Sequence, residues 1–144
     1  MGLGKVVGEN LATDPTFLPE VPRYPVFEQK LEGKLGRIPL IGYLDSFDPD
    51  TKNFYEYKTS ANPKRWTHKT ANQHGQLLFY SYLIWYNYKM TPQSHLTYIP
   101  VVDLQVAGTP ITYPVRHSFT EVLVFMKGVK SQYAEMIKYA QNHA

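Results

Sequence analysis

The chain has 144 residues, is 43% hydrophobic and 15% aromatic, and carries a formal net charge of +3 with a pI near 9.0. That length and apolar share exclude a disordered chain and suffice for a real core. The absence of cysteine excludes disulfide frameworks and thiolate zinc sites and favours an intracellular, cytoplasmic setting. No apolar run approaches the roughly 18 residues of a membrane span, and the start MGLGKVVGEN lacks a signal-peptide core. The mild positive charge permits a polyanionic partner without requiring one.

Residues 1–23 read as an extended N-terminal arm, because TDPTFLPEVPRYP carries four prolines. Residues 24–144 read as one domain without repeat, low-complexity tract or linker. VFEQKLEGKL alternates as a strand until Gly36 breaks it; RIPLIGYLDSF, the turn DPDTKN and FYEYKTS add two more strands. A polar loop, ANPKRWTHKT, leads to ANQHGQLLFYSYLIWYNYK, where Gln76, Leu77, Tyr80, Leu83 and Ile84 recur near a helical period. TPQS ends that helix. HLTYIPVVDLQVA and ITYPVRHSF read as further strands, and Thr120 would cap a C-terminal helix through EVLVFMKGVKSQYAEMIKYAQ, with Gly128 a weak point in it. The order β-β-β-α-β-β-α predicts an α/β fold with a mixed central sheet. Its first three strands form an antiparallel meander, since their connections are too short for parallel crossovers.

The charges in GYLDSFDPDTKNFYEYKTS are unusual for a hairpin among aromatic and aliphatic neighbours. Glu56 and Lys58 lie two apart on one strand and share a face. A turn centred on Asp50 and Thr51 pairs residues whose numbers sum to 101, which sets Asp45 opposite Glu56. Opposed Cβ atoms lie about 4.5–5.5 Å apart, so the carboxylates repel unless positive charge sits between them. A divalent cation meets that need, and Mg²⁺ or Mn²⁺ suits a hard oxygen site that keeps waters and phosphate oxygens. Such an ion activates water and neutralises charge on phosphate, and a nearby ammonium aids an anionic transition state. These are the parts of a phosphodiester hydrolase.

Gly42-Tyr43-Leu44-Asp45, then Tyr55-Glu56-Tyr57-Lys58-Thr59, then Gln76-Leu77-Leu78-Phe79-Tyr80 together resemble the PD-(D/E)XK nuclease superfamily, in particular its RecB-like exonuclease branch. The pattern there is G-x-x-D, a strand ending (D/E)-x-K-T, and a helix carrying Q-x-x-x-Y. The resemblance implies a restriction-endonuclease-like core with a mixed sheet flanked by helices. It implies Asp45 and Glu56 as metal ligands, Lys58 as the catalytic lysine, and a site-organising or DNA-contacting role for Gln76 and Tyr80. Residues i and i+4 stand one above the other on a helix, so both can reach one site. Glu28 resembles a further acidic position of that branch and is an accessory metal-ligand candidate. Leu44 stands where the superfamily's name has proline. The N-terminal helix usual in the branch has no counterpart in the proline-broken lead-in, where Glu9 or Asp14 would have to substitute for its ligand.

The loop NPKRWTHK offers Lys64, Arg65, Trp66 and Lys69 for phosphate contact and base stacking, or else forms a solvated basic loop anchored by its tryptophan. His74 and His117 read as ordinary polar residues, since no H-x-x-x-H spacing supports zinc. Tyr82, Trp85, Tyr86 and Tyr88 read as core or subunit contacts. The expectation is a Mg²⁺- or Mn²⁺-dependent deoxyribonuclease acting in repair, recombination or phage replication. DNA is its partner, alone or with a homo-oligomer, helicase or annealing protein. The competing expectation is a nucleic-acid-binding or assembly protein with the same fold and weak or no catalysis.

Overall fold

The computed structural model describes residues 21–62 and 64–143. The first 20 residues of the expected arm, with Glu9 and Asp14, lie outside the described residues. The elements in order are β1 (Val26–Leu35), β2 (Ile38–Phe47), β3 (Phe54–Ser60), α1 (His68–Asn72), α2 (Gly75–Tyr88), β4 (Ser94–Val102), β5 (Gln105–Val106), β6 (Ile111–Val115) and α3 (Phe119–His143). β1, β2 and β3 form the expected antiparallel meander; β3 then pairs parallel with β4, and β4 pairs antiparallel with both β5 and β6. The parallel pair requires a crossover, which α1 and α2 supply.

Turn chemistry sets the hairpins. Leu35 pairs with Ile38 across Gly36 and Arg37, and Gly36 takes the left-handed φ of 62° that such two-residue turns demand. The second two-residue turn divides what the sequence suggested was one long strand into β4 and β5. Val102 pairs with Gln105 across Asp103 and Leu104, whose φ values of 50° and 66° mark a type I′ turn. Leu104 holds that conformation without the asparagine or glycine that usually carries it.

The expected helix over 71–89 is two helices. Thr67 and Thr70 form a reciprocal capping box that starts α1 early, α1 ends at Gln73, and α2 starts afresh after His74. The C-terminal helix begins two residues before its expected start because its cap is Ser118, not Thr120. Glu121 N donates to Ser118 Oγ at 3.1 Å, and Ser118 N donates to Glu121 Oε1 at 2.9 Å. Gly128 lies inside α3 with open space around its Cβ position. Gly128→Ala is therefore expected to raise stability by about 1 kcal/mol, read as an increased denaturation midpoint with unchanged m-value.

α2 packs on β1 and β2, α1 packs on β6, and α3 packs on α2. The main core joins Leu31, Leu44, Phe54, Leu83, Leu96 and Met126, all buried. A second cluster of Val21, Tyr57, Ile99 and Val101 lies on the opposite face, as the alternation of β3 and β4 requires. Among the described residues no helix is long and apolar enough to cross a membrane.

Candidate active site

β2 and β3 meet only at Ser46–Tyr55 and Phe47–Phe54, in the register expected from the turn. The next pair, Asp45 with Glu56, does not form on the backbone. The Asp45 side chain reaches across instead, and its Oδ2 accepts from Tyr57 N at 2.8 Å. The carboxylate thus replaces a main-chain carbonyl, and the strands part at this point.

β1 breaks at the same level. Phe27 pairs with Ser46 and Gln29 with Leu44, leaving Glu28 unpaired between them at φ 53° and opposite Asp45. The alternation of β2 changes phase here. Leu40 and Leu44 lie in the main core and a Cβ on Gly42 would point at α2, yet Phe47 is in that core too, while Ser46 Oγ accepts from Tyr24 N. A strict period of two would place residues 44 and 46 on one face. The slip turns Asp45 toward the parting strands instead of the face it would otherwise occupy.

Glu56 and Lys58 project on the α2 face of β3, as residues two apart must. Glu56 is 3% exposed, its carboxyl lies close to that of Asp45, and it pairs with Lys58 Nζ at 3.2 Å. Burial pushes its pKa well above the usual carboxylate range, the Asp45 charge and hydrogen bond push it further, and Lys58 opposes both. A close pair of carboxyl groups is favoured when positive charge, a proton or a cation, sits beside it.

Lys58 Nζ also donates to Gln76 Oε1. An ammonium only donates, so it fixes the Gln76 amide with its oxygen toward Lys58 and its nitrogen toward Tyr80 Oη, 3.3 Å away. His74 Nε2 meets the same oxygen at 2.9 Å, and burial pulls the His74 pKa down. Tyr80 is pushed above the usual phenol range, first by burial and then by the charges of Glu56 and Asp45, so it keeps its proton. Asp45, Glu56, Lys58, Gln76 and Tyr80 therefore come together in one network. His74 joins it, a member the sequence reading set aside; its signal was its place two residues before Gln76 at the start of α2.

Gly42 makes the helix–sheet approach possible. A Cβ there would lie 2.8 Å from Leu83 Cδ1 and 2.9 Å from Tyr80 Cε1. Gly42→Ala is expected to cost about 1–3 kcal/mol by overpacking, measured by urea denaturation, and to lower activity because Tyr80 and Gln76 move with α2.

Other candidates are placed elsewhere. Glu28 is exposed, and among the described residues no group of three or more His, Asp or Glu side chains is arranged to hold a metal ion. Glu28 thus does not extend the Asp45–Glu56 pair, because its left-handed turn releases the side chain to solvent. Trp66 is also corrected: it is 9% exposed, lies in the main core edge-on to His74 at 5.2 Å, and has no free face for a base. Lys64 and Arg65 are exposed on the loop before α1, and Lys69 is exposed within α1. The α2 aromatics are largely used internally: Tyr82 Oη donates to Lys34 O at 2.7 Å, and Trp85 packs on Phe119 at 4.8 Å.

No family model matches the chain, and no curated protein matches it. Solved structures do. One is a candidate exonuclease from Eubacterium rectale, with a TM-score of 0.59 and 10% identity over 97% of this chain and 53% of the other. Another is SSO0001, with a TM-score of 0.50 and 16% identity over 87% of this chain and 56% of the other. The chain spans about half the length of each. At these identities the likeness is one of fold, and the fold is nuclease-like: a mixed, mostly antiparallel sheet flanked by helices.

Proposed function

We propose that the protein is a metal-dependent nuclease that hydrolyses DNA phosphodiester bonds, of the PD-(D/E)XK type and closest in its motifs to the RecB-like exonucleases. The observation that carries this reading is the close pair of buried Glu56 and half-buried Asp45, with Lys58 against Glu56, set where β2 and β3 part. The nuclease-like fold supports it. The donor set fits Mg²⁺ or Mn²⁺: two carboxyl groups converge beside Lys58, and a hard cation that keeps waters and phosphate oxygens needs few protein ligands. Asp45 and Glu56 would hold the ion, which when bound supplies charge neutralisation and a more acidic water.

The remaining roles belong to the chain itself. Lys58 spends two of its three N–H donors on Glu56 and Gln76, leaving one for a phosphate oxygen or the attacking water. Gln76 holds Lys58 in that orientation and receives support from His74. Tyr80 accepts from Gln76 and retains its own hydroxyl proton, so it serves as a hydrogen-bond donor to substrate and not as a base. Lys64, Arg65 and Lys69 add phosphate contacts that hold the strand without reading its sequence.

The test is degradation of end-labelled linear DNA with Mg²⁺, Mn²⁺ or EDTA. Cutting with either metal and none in EDTA is the expected result; no cutting with either metal overturns the reading. A second reading, a nucleic-acid-binding protein with little catalysis, draws on the lack of a third metal ligand among the described residues. It predicts DNA binding without product.

A further inference from the structure

Beside the catalytic network lies a groove of about 440 Å³, lined among others by Ile41, Tyr43, Gln76, Phe79, Tyr80 and Phe125. It opens where β2 loses β3: the β2–β3 pairing ends at Ser46, so the β3 side of β2 from Ile38 to Asp45 carries no β3 partner. We propose that this groove receives an unstacked base of single-stranded DNA, whose backbone crosses Gln76, Tyr80 and Lys58 toward Asp45 and Glu56. The inference rests on the nuclease reading of that site and names the form of its substrate.

Three observations converge. The groove walls are aromatic and aliphatic but uncovered, with Tyr43 54% and Ile41 52% exposed, and every base has a face that stacks on such a surface. Gln76 and Tyr80 belong both to the groove wall and to the Lys58 network, so an occupant of the groove lies within one side chain of the acid pair. The first turn of α2 also lines the groove through Gly75 and Gln76. That helix start has no side-chain cap from His74 and no acidic residue, so its free N–H groups and partial positive charge face the occupant.

Duplex DNA fits this arrangement poorly, because its bases show only edges until they are turned out. Turning one out is least costly where it is already unpaired. A frayed end or a single strand is therefore the preferred substrate.

The experiment is fluorescence anisotropy in EDTA, where binding is read without metal or cleavage. The probes are a labelled deoxythymidine oligonucleotide, an abasic strand of equal length, and a blunt duplex. The parent should bind the deoxythymidine strand at least roughly tenfold more tightly than the other two. Tyr43→Ala, at an exposed position that does not test folding, should weaken deoxythymidine binding roughly 5- to 100-fold and leave abasic binding unchanged, while Tyr43→Phe restores it. Equal affinity for strand and duplex, or no loss in Tyr43→Ala, overturns the base-groove assignment. The two readings fail separately. Tyr43-dependent strand binding by a protein that cuts nothing would keep the groove and sink the nuclease, and metal-dependent cutting indifferent to Tyr43 and to base would do the reverse.

Discussion

Lys58→Ala is expected to slow metal-dependent DNA cleavage by about 10²–10⁴-fold while the protein stays folded and still binds Mn²⁺. The size follows from position: Lys58 is the cation against buried Glu56, beside Asp45, and Gln76 and Glu56 hold it in one orientation. A donor fixed beforehand costs no reorganisation when charge develops on phosphate, which is why its loss is felt in the rate. Removing a positive charge beside a cation site should hold Mn²⁺ binding steady or tighten it, whereas Asp45→Asn should weaken it. Initial rates and titration calorimetry on the same preparations separate the two roles. A Lys58→Ala rate within tenfold of the parent would remove the residue from the mechanism. Lys58→Arg should not rescue, because the planar guanidinium cannot reproduce a compact ammonium between two acceptors.

Glu56→Gln is expected to move function and stability in opposite directions. Mn²⁺ binding should weaken at least roughly tenfold, since a carboxylate ligand becomes a neutral amide. In the metal-free protein at pH 8, stability should rise by on the order of 1 kcal/mol, because repulsion between buried Glu56 and its neighbour Asp45 is relieved. The pH dependence has a definite sign. The folded-state pKa of Glu56 lies above its unfolded value of roughly 4.3. The folded state therefore holds the proton more tightly, and the associated stability is complete below the unfolded pKa. It is lost as pH rises through the folded pKa. Metal-free parent protein should thus lose stability between pH 5 and pH 8 more steeply than Glu56→Gln, and Mg²⁺ should stabilise the parent most at the alkaline end. Thermal denaturation across that range checks it; parallel profiles for parent and variant would show that the fold does not raise the Glu56 pKa.

Much of the site could be read before any coordinates. Asp48, Pro49 and the residues up to Asn53 announce a tight turn, and the turn's length sets the β2–β3 register in which Asp45 and Glu56 stand level. The i, i+4 spacing of Gln76 and Tyr80 likewise places both over one site. Ser118-Phe119-Thr120-Glu121 was equally legible as a capping box, but Thr120, two residues nearer the apolar run, drew the cap assignment instead. The strand count was read one short, since Asp103-Leu104 lacks the glycine or asparagine by which a type I′ turn is recognised.

The sequence by itself determined the meander, its register and the order of acid, acid, lysine and helix, because these depend on turn length, strand period and helical spacing. Tertiary structure alone decided three further things. Glu28 adopts a left-handed φ with no glycine to signal it, and the resulting phase slip turns Asp45 into the gap between strands. Trp66 leaves the basic loop for the core because Val115, Leu77 and their neighbours form one buried cluster that accepts it. The raised pKa of Glu56 comes from burial and from contact with Asp45, eleven residues earlier in the chain. Spacing along a chain encodes which groups can meet; whether they meet dry, paired or charged depends on what the rest of the fold lays over them.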